Sequence, residues 1–329
     1  MKRPLLLPLT PLYTATVATR NALYNTHVLS TRSLTRPVIS VGNLSTGGAG
    51  KTPFVLALAE LLSSIGWPSD VLTRGYGRSA CAIAQVSPDG SLEQFGDEPL
   101  LLARRGLSVF VGADRFAAGQ LAERSLAAPR LHILDDGMQH RRLARDVEIV
   151  LVHRDDLFDR LLPAGNLREP LSSLNRAHIL VLREEDASLA GKLRAIVPAA
   201  KLWLIRRTLR FTDTNGSPET PIQPLAFCAI ARPTDFFASL HAHGCTPIAT
   251  ESFRDHHRYT AADAATLTRH AHSTGAHSFL TTAKDLCNLA PTALAALTPV
   301  APLHIAELSV SFVDPSAVAA DLRTLLPPA

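Results

Sequence analysis

Short β-branched runs alternate along this chain with longer stretches whose apolar residues recur at helical spacing. Residues 38–41 (VISV) predict a buried strand, and residues 54–65 (FVLALAELLSSI) predict a helix. Further strands are expected at 70–73, 107–112, 131–134 and 147–152, with helical stretches among them. Residues 158–170 read as a loop because of Pro163, Gly165 and Pro170. Beyond it, strands are expected at 179–182, 203–206, 225–230, 246–249 and 278–281, with a helix after Pro233. A polar, proline-rich connector occupies 212–224, and a last helical turn at 317–326 is expected to pack back on the body. Strands alternating with helices indicate a parallel sheet covered on both faces.

The expected fold class is α/β: a parallel-sheet α/β/α sandwich built on a phosphate loop, with a second, smaller α/β domain. A length of 329 residues accommodates two domains at roughly 100–200 residues each. The expected divisions are a helical segment at 1–30, a phosphate-loop domain at 31–155 and the second domain at 156–329.

The N-terminal segment starts basic, turns apolar and then mixes in polar residues. Pro8 and Pro11 break the apolar run, which falls short of the roughly 20 residues a spanning helix requires. From Leu12 onward an amphipathic helix is expected, with Leu12, Val17, Ala18 and Leu23 apolar. Such a helix either lies in a bilayer interface beside its basic flank or packs on the protein's own surface.

Composition narrows the function. Hydrophobic residues at 46% and charged residues at 19% describe a folded chain. The four cysteines lie far apart with no C-x-x-C pair, which excludes a zinc knuckle and fits a reducing compartment. No lysine- or arginine-rich run suggests a nucleic-acid partner, and no internal repeat is present.

Residues 45–53 read STGGAGKTP, between the first strand and its helix. The phosphate-loop pattern G-x-x-x-x-G-K-[ST] wants glycine where Ser45 stands. Gly47, Gly48 and Gly50 let backbone N–H groups converge on phosphate oxygens, and the following helix adds its positive end. Gly42 and the Gly47–Gly48 pair are the candidates to supply the freedom that Ser45 lacks. Lys51 is suited to the outer phosphates and Thr52 to a magnesium ion.

Three acidic clusters follow. LHILDD (131–136) has the form of a buried strand with a carboxylate at its end for magnesium, and spacing does not separate Asp135 from Asp136. Asp97 and Glu98 open a helix, as caps or as a general base. Asp255, His256 and His257 sit on a loop, either solvated or orienting an acid. Arg168 and Glu169 offer another arginine and acid.

The phrases VGNLSTGGAGKTP, LTRGYG, GDEP, GADR, LDDGMQHRRLARD, PAGNLREP, FCAIARP, FRDHHRYT and TTAKD occur in this order. Together they resemble the tetraacyldisaccharide 4'-kinase (lipid A 4'-kinase) family, over about residues 38 to 287. The resemblance implies two α/β/α domains and a peripheral, monotopic place on the cytoplasmic face of the inner membrane. It implies transfer of the γ-phosphate of ATP to the 4'-hydroxyl of a tetraacyldisaccharide 1-phosphate, an acylated lipid substrate. In that family Ser45 is a normal variant of the loop.

Under the resemblance, Ser45, Thr46, Gly47, Gly48, Ala49, Gly50, Lys51 and Thr52 cradle the nucleotide phosphates, with Lys51 stabilising transferred charge. Thr52 and Asp135 or Asp136 hold Mg2+, helped by Glu169. Asp97 accepts the sugar hydroxyl's proton, oriented or tuned by His256, in a site between the domains. Arg74, Arg115, Arg141 and Arg168 are candidates for phosphate groups. The chain departs from the family pattern at Met138, Ala229 and Ala283, and Ala283 leaves the role of TTAKD open. No obligate protein partner is implied.

The alternative is a regulatory or metal-delivery GTPase of the phosphate-loop class. Its guanine-reading N-K-x-D is absent; Thr282-Ala283-Lys284-Asp285 lacks the asparagine. Thr46 stands where membrane-positioning ATPases of this class carry a second lysine.

Overall fold

The computed structural model describes residues 3–125 and 131–326. Its strands are β1 (Val38–Asn43), β2 (Ser69–Thr73), β3 (Ala84–Gln85), β4 (Val109–Val111), β5 (Leu131–Asp135) and β6 (Val147–Leu151). They continue with β7 (Ile179–Arg183), β8 (Lys201–Thr212), β9 (Pro224–Cys228), β10 (Ala249–Ser252), β11 (Ser278–Thr282) and β12 (Leu303–Phe312). All lie in one sheet of order β10-β9-β11-β12-β8-β7-β6-β1-β5-β2-β4-β3. Among these pairs, only β12 with β8 and β3 with β4 run antiparallel. The α/β class with a mostly parallel sheet is therefore as the sequence predicts.

β1, β5, β6 and β7 are nearly continuous apolar runs because helices cover both their faces. Ile39 and Val41 of β1 pack on Phe54, Val55, Leu58 and Leu62 of the helix Lys51–Ser64. Each such fully buried side chain contributes about 1.5–3 kcal/mol. Val318 and Leu322 of the helix Pro315–Leu325 join this same core, so the chain's last helix returns to the phosphate-loop half. A separate core holds Leu225, Phe227, Tyr259, Leu267 and Phe279 beneath the other end of the sheet.

Several strands differ from the sequence reading: the two-residue β3 was not expected, and β8 runs on to Thr212. β12 was not expected: its Glu307, Ser309 and Ser311 alternate with Leu308, Val310 and Phe312, a period-2 pattern that a search for continuous apolar runs passes over. β10 begins at Ala249, past Pro247, which has no N–H to give a ladder.

The N-terminal helix Thr10–Asn25 follows a 3-10 turn at Pro4–Leu9. Met1 and Lys2, the basic start of this segment, lie outside the described residues. Tyr24 is the helix's buried residue, while Leu5 (92% exposed) and Leu12 (71%) face outward. Among the described residues no helix is long and apolar enough to cross a membrane.

Candidate active site

The carboxyl ends of parallel strands are where α/β sheets place ligands, and here a cavity of about 990 Å³ lies over them. The ends of β1, β2 and β5 contribute residues 46–53, Thr73, Arg74, Asp135 and Asp136. From the far half come Arg232, Asp255, His256 and Lys284. Lys51, Arg74, Arg115, Arg168, Arg183 and Arg207 make its wall strongly basic, a surface suited to an anion carrying several charges.

The phosphate loop has the expected form. Gly50 is left-handed (φ 79°) immediately before the helix Lys51–Ser64, and Gly47 also has positive φ (109°). These two glycines, and neither Gly42 nor Gly48, supply the backbone freedom. Thr46, Gly47, Gly48, Ala49, Gly50, Lys51 and Thr52 line the cavity. Ser45 does not: it is buried, bridges to Leu167, and its carbonyl accepts from the Asn43 amide at 2.9 Å. It anchors the root of the loop, so its assignment to phosphate contact is corrected.

Lys51 Nζ lies 3.2 Å from Asp136 Oδ1 and donates to Asn43 Oδ1 at 3.0 Å. Arg168 grips Asp136 with both Nη atoms, each at 2.9 Å, and reaches Asn43 Oδ1 at 2.6 Å. Burial alone would push the Asp136 carboxyl up, but Lys51 and Arg168 hold it well below the carboxylate range. Asp136 has φ 50°, an unfavourable conformation for a non-glycine residue, of the kind that concentrates at functional sites.

Asp135 is the opposite case. Burial and the nearby Glu98 raise its pKa against the pull of Lys51. Thr73 donates to Oδ2 at 3.1 Å, while Oδ1 is buried with no hydrogen-bond partner. An orphaned carboxylate oxygen beside the Thr52 hydroxyl's loop fits a hard cation. Magnesium takes few protein ligands and keeps waters and phosphates for the rest, so the donor set fits Mg2+.

Glu169 stands elsewhere. Its carboxylate, 1% exposed, is held by Arg176 at 2.9 Å and by the Asn21 amide at 2.8 Å, and it does not line the cavity. In the structure it ties the N-terminal helix to the body. Arg141 is likewise engaged with Asn21 and Asn25 and rests over the Tyr24 ring, outside the cavity. Arg74, Arg115 and Arg168 do line it.

Asp97, 6% exposed at the start of the helix Asp97–Arg104, does not itself line the cavity; it accepts from Nδ1 of the lining His256 at 2.8 Å. Burial opposes the Asp97 charge, but the His256 hydrogen bond and the Lys284 ammonium outweigh it and lower its pKa to about 2. The same hydrogen bond raises the pKa of His256, against burial and Lys284. His256 is a second strained residue, at φ 60°. His257 also lines the cavity but is bonded to Asp263 at 3.0 Å and stacked on Phe253.

Sequence reasoning passed over Asn43, Thr73 and Lys284. Asn43 directly precedes the loop, but nothing in its spacing says that one amide oxygen will serve both Lys51 and Arg168. Lys284 belonged to a motif with no assigned role.

The comparisons agree with this geometry. A family model described as tetraacyldisaccharide-1-P 4'-kinase (LpxK) matches residues 2–327. The tetraacyldisaccharide 4'-kinase of Koribacter versatilis is 44% identical over 319 residues, covering 94% of this chain and 95% of that one. The corresponding protein of Geobacter metallireducens is 36% identical over 318 residues, with 92% of each chain covered. The crystal structure of "apo" form LpxK from Aquifex aeolicus in complex with ATP superposes with a TM-score of 0.77 at 32% identity, over 98% of both chains. A match of family model, relatives and solved structure that runs nearly from end to end leaves one conclusion: this chain belongs to the tetraacyldisaccharide-1-P 4'-kinase family.

Proposed function

We propose that the cavity performs the family's reaction by joining two half-sites, one for ATP and one for the sugar hydroxyl. The substrate is a tetraacyldisaccharide 1-phosphate, an intermediate of lipid A biosynthesis, and the product carries a new phosphate at the 4' position. The observation that carries this reading is that the Lys51 loop and His256, the hydrogen-bond partner of Asp97, line one cavity.

Backbone N–H groups of Gly47, Gly48, Gly50, Lys51 and Thr52, at the helix end, bind the β- and γ-phosphates, while those of Thr46 and Ala49 are held by Asn166 and Gly47 carbonyls. Lys51 and Arg168, now held by Asp136, offset charge on the transferring group. Thr52 and Asp135 would hold a magnesium ion, which would supply charge neutralisation at the phosphates. Asp97, ionised and oriented by His256, accepts the proton of the 4'-hydroxyl as the oxygen attacks phosphorus and ADP leaves. Positioning and charge neutralisation are most of what phosphoryl transfer demands.

The reaction takes place at the cytoplasmic surface of the inner membrane, with the enzyme attached peripherally. The exposed leucines of the N-terminal segment support this, because they suit a bilayer interface where acyl chains remain in lipid. Transfer of labelled phosphate from ATP to a tetraacyldisaccharide 1-phosphate in mixed micelles tests the reading. Failure of transfer, or a preference for GTP, would overturn it.

A further inference from the structure

Lys284 is the second residue of the helix Ala283–Asn288, which follows β11. Its largely buried ammonium reaches four groups: His256 Nε2 at 3.3 Å, Asp97 Oδ2 and Glu98 Oε1 each at 3.6 Å, and Asp255 Oδ1 at 3.7 Å. The ring nitrogen is the nearest of these, and the three carboxylates surround the ammonium at nearly equal range. Asp255 Oδ1 is buried with no hydrogen-bond partner. One turn further along the same helix, the Asn288 amide donates to Asp97 Oδ2 at 3.4 Å.

An ammonium only donates. With Lys284 against Nε2, that nitrogen is an acceptor, and the ring proton is left on Nδ1, facing Asp97. We propose that Lys284 is a positioning residue for the Asp97–His256 pair, selecting the Nδ1–H tautomer of His256 and tying the Asp97 helix to the His256 loop. The proposal rests on the reading of Asp97 as the base.

Charge gives the proposal a signature that a simple clamp lacks. The groups facing the imidazole and its partner are Asp97 and Glu98 from one helix, Asp255 from the loop, and Lys284, Asp285 and Cys287 from the other helix. The Tyr76 ring lies 5.4 Å from the imidazole. Lys284 is the cation among them, and a cation beside Nε2 disfavours a second proton on the ring. Losing it frees Nε2 to protonate.

The test is an NMR titration of the ligand-free full-length chain, with the His256 signal assigned by its loss in His256→Asn. In Lys284→Met the His256 midpoint is expected to rise by about one pH unit. Turnover is expected to fall about tenfold or more, with the KM for ATP kept within about twofold. Lys284→Arg, which keeps the charge, is expected to hold the midpoint near that of the unaltered chain. Lys284→Gln provides the same readout if the Met variant does not fold. An unmoved midpoint alongside lost turnover reduces Lys284 to a clamp and overturns the proposal, as does full turnover without it. Asp97→Ala is measured in parallel: normal turnover there would overturn the underlying reading too, whereas an inactive Asp97→Ala beside an unmoved midpoint overturns the Lys284 role alone.

Discussion

Lys51 and Asp136 face each other at 3.2 Å across the floor of the cavity, so the loop's lysine already has a carboxylate partner before any phosphate arrives. The pair keeps both charges in place at a site that handles anions. Lys51→Ala is expected to lower kcat/KM by on the order of 10²–10³. Near-normal transfer in a labelled-ATP assay would contradict the assignment.

Asp97→Ala separates chemistry from binding. Turnover is expected to drop by about 10²–10⁴, the range for a lost general base, with ATP affinity barely changed. Calorimetric ATP titration beside single-turnover kinetics checks this. Collapse of ATP affinity with surviving turnover would refute the base assignment.

The Asp97–His256 bond has a consequence for stability. His256 has a raised pKa in the folded chain. Its stabilisation is therefore fully present below the unfolded value of about 6.5 and is lost as pH rises through the folded value. Denaturant unfolding of the parent chain and of His256→Gln, compared from pH 5.5 to 9, is expected to show the gap between them narrowing with pH. A gap that widens over this range would rule out the linkage.

Glu169→Gln distinguishes a metal ligand from a structural tie. Its bonds to Arg176 and Asn21 lead us to expect a loss of about 1–3 kcal/mol of stability. The magnesium concentration for half-maximal activity is expected to stay unchanged. A several-fold rise in that concentration, with stability intact, would restore the metal role.

The exposed leucines provide a surface test. Full burial of a leucine is worth about 1.5–3 kcal/mol, so Leu5→Ser with Leu12→Ser is expected to weaken vesicle binding by about tenfold or more. Co-sedimentation with anionic vesicles measures it. Undiminished binding would remove the N-terminal segment from the membrane contact.

Legibility in the sequence followed the physics of each feature. The phosphate loop, the DD strand end and the GDEP helix start were readable because local backbone geometry dictates their residues. The strand β12 was not, because a half-buried strand carries its signal only in alternation. The meeting of Asp97 with His256, 159 positions apart, was legible only through the family resemblance, because sheet order and not local spacing brings them together. Glu169 was not separable in sequence, because a carboxylate beside an arginine reads the same whether it binds a metal or holds a helix. Ser45 looked like a defect in a phosphate contact, and its burial at the loop's root explains why glycine is dispensable there.

Two of the ties between the N-terminal helix and the body reach the segment that carries Arg168. The Tyr13 hydroxyl donates to the Arg168 carbonyl at 3.0 Å, and the Asn21 amide donates to the next residue, Glu169. Arg168 is the residue whose guanidinium grips Asp136 and Asn43. Tyr13, next to the outward-facing Leu12, thus fastens this helix to the main chain of the arginine that grips Asp136. The outward face of the helix and the cavity floor are joined through the backbone and side chain of a single residue.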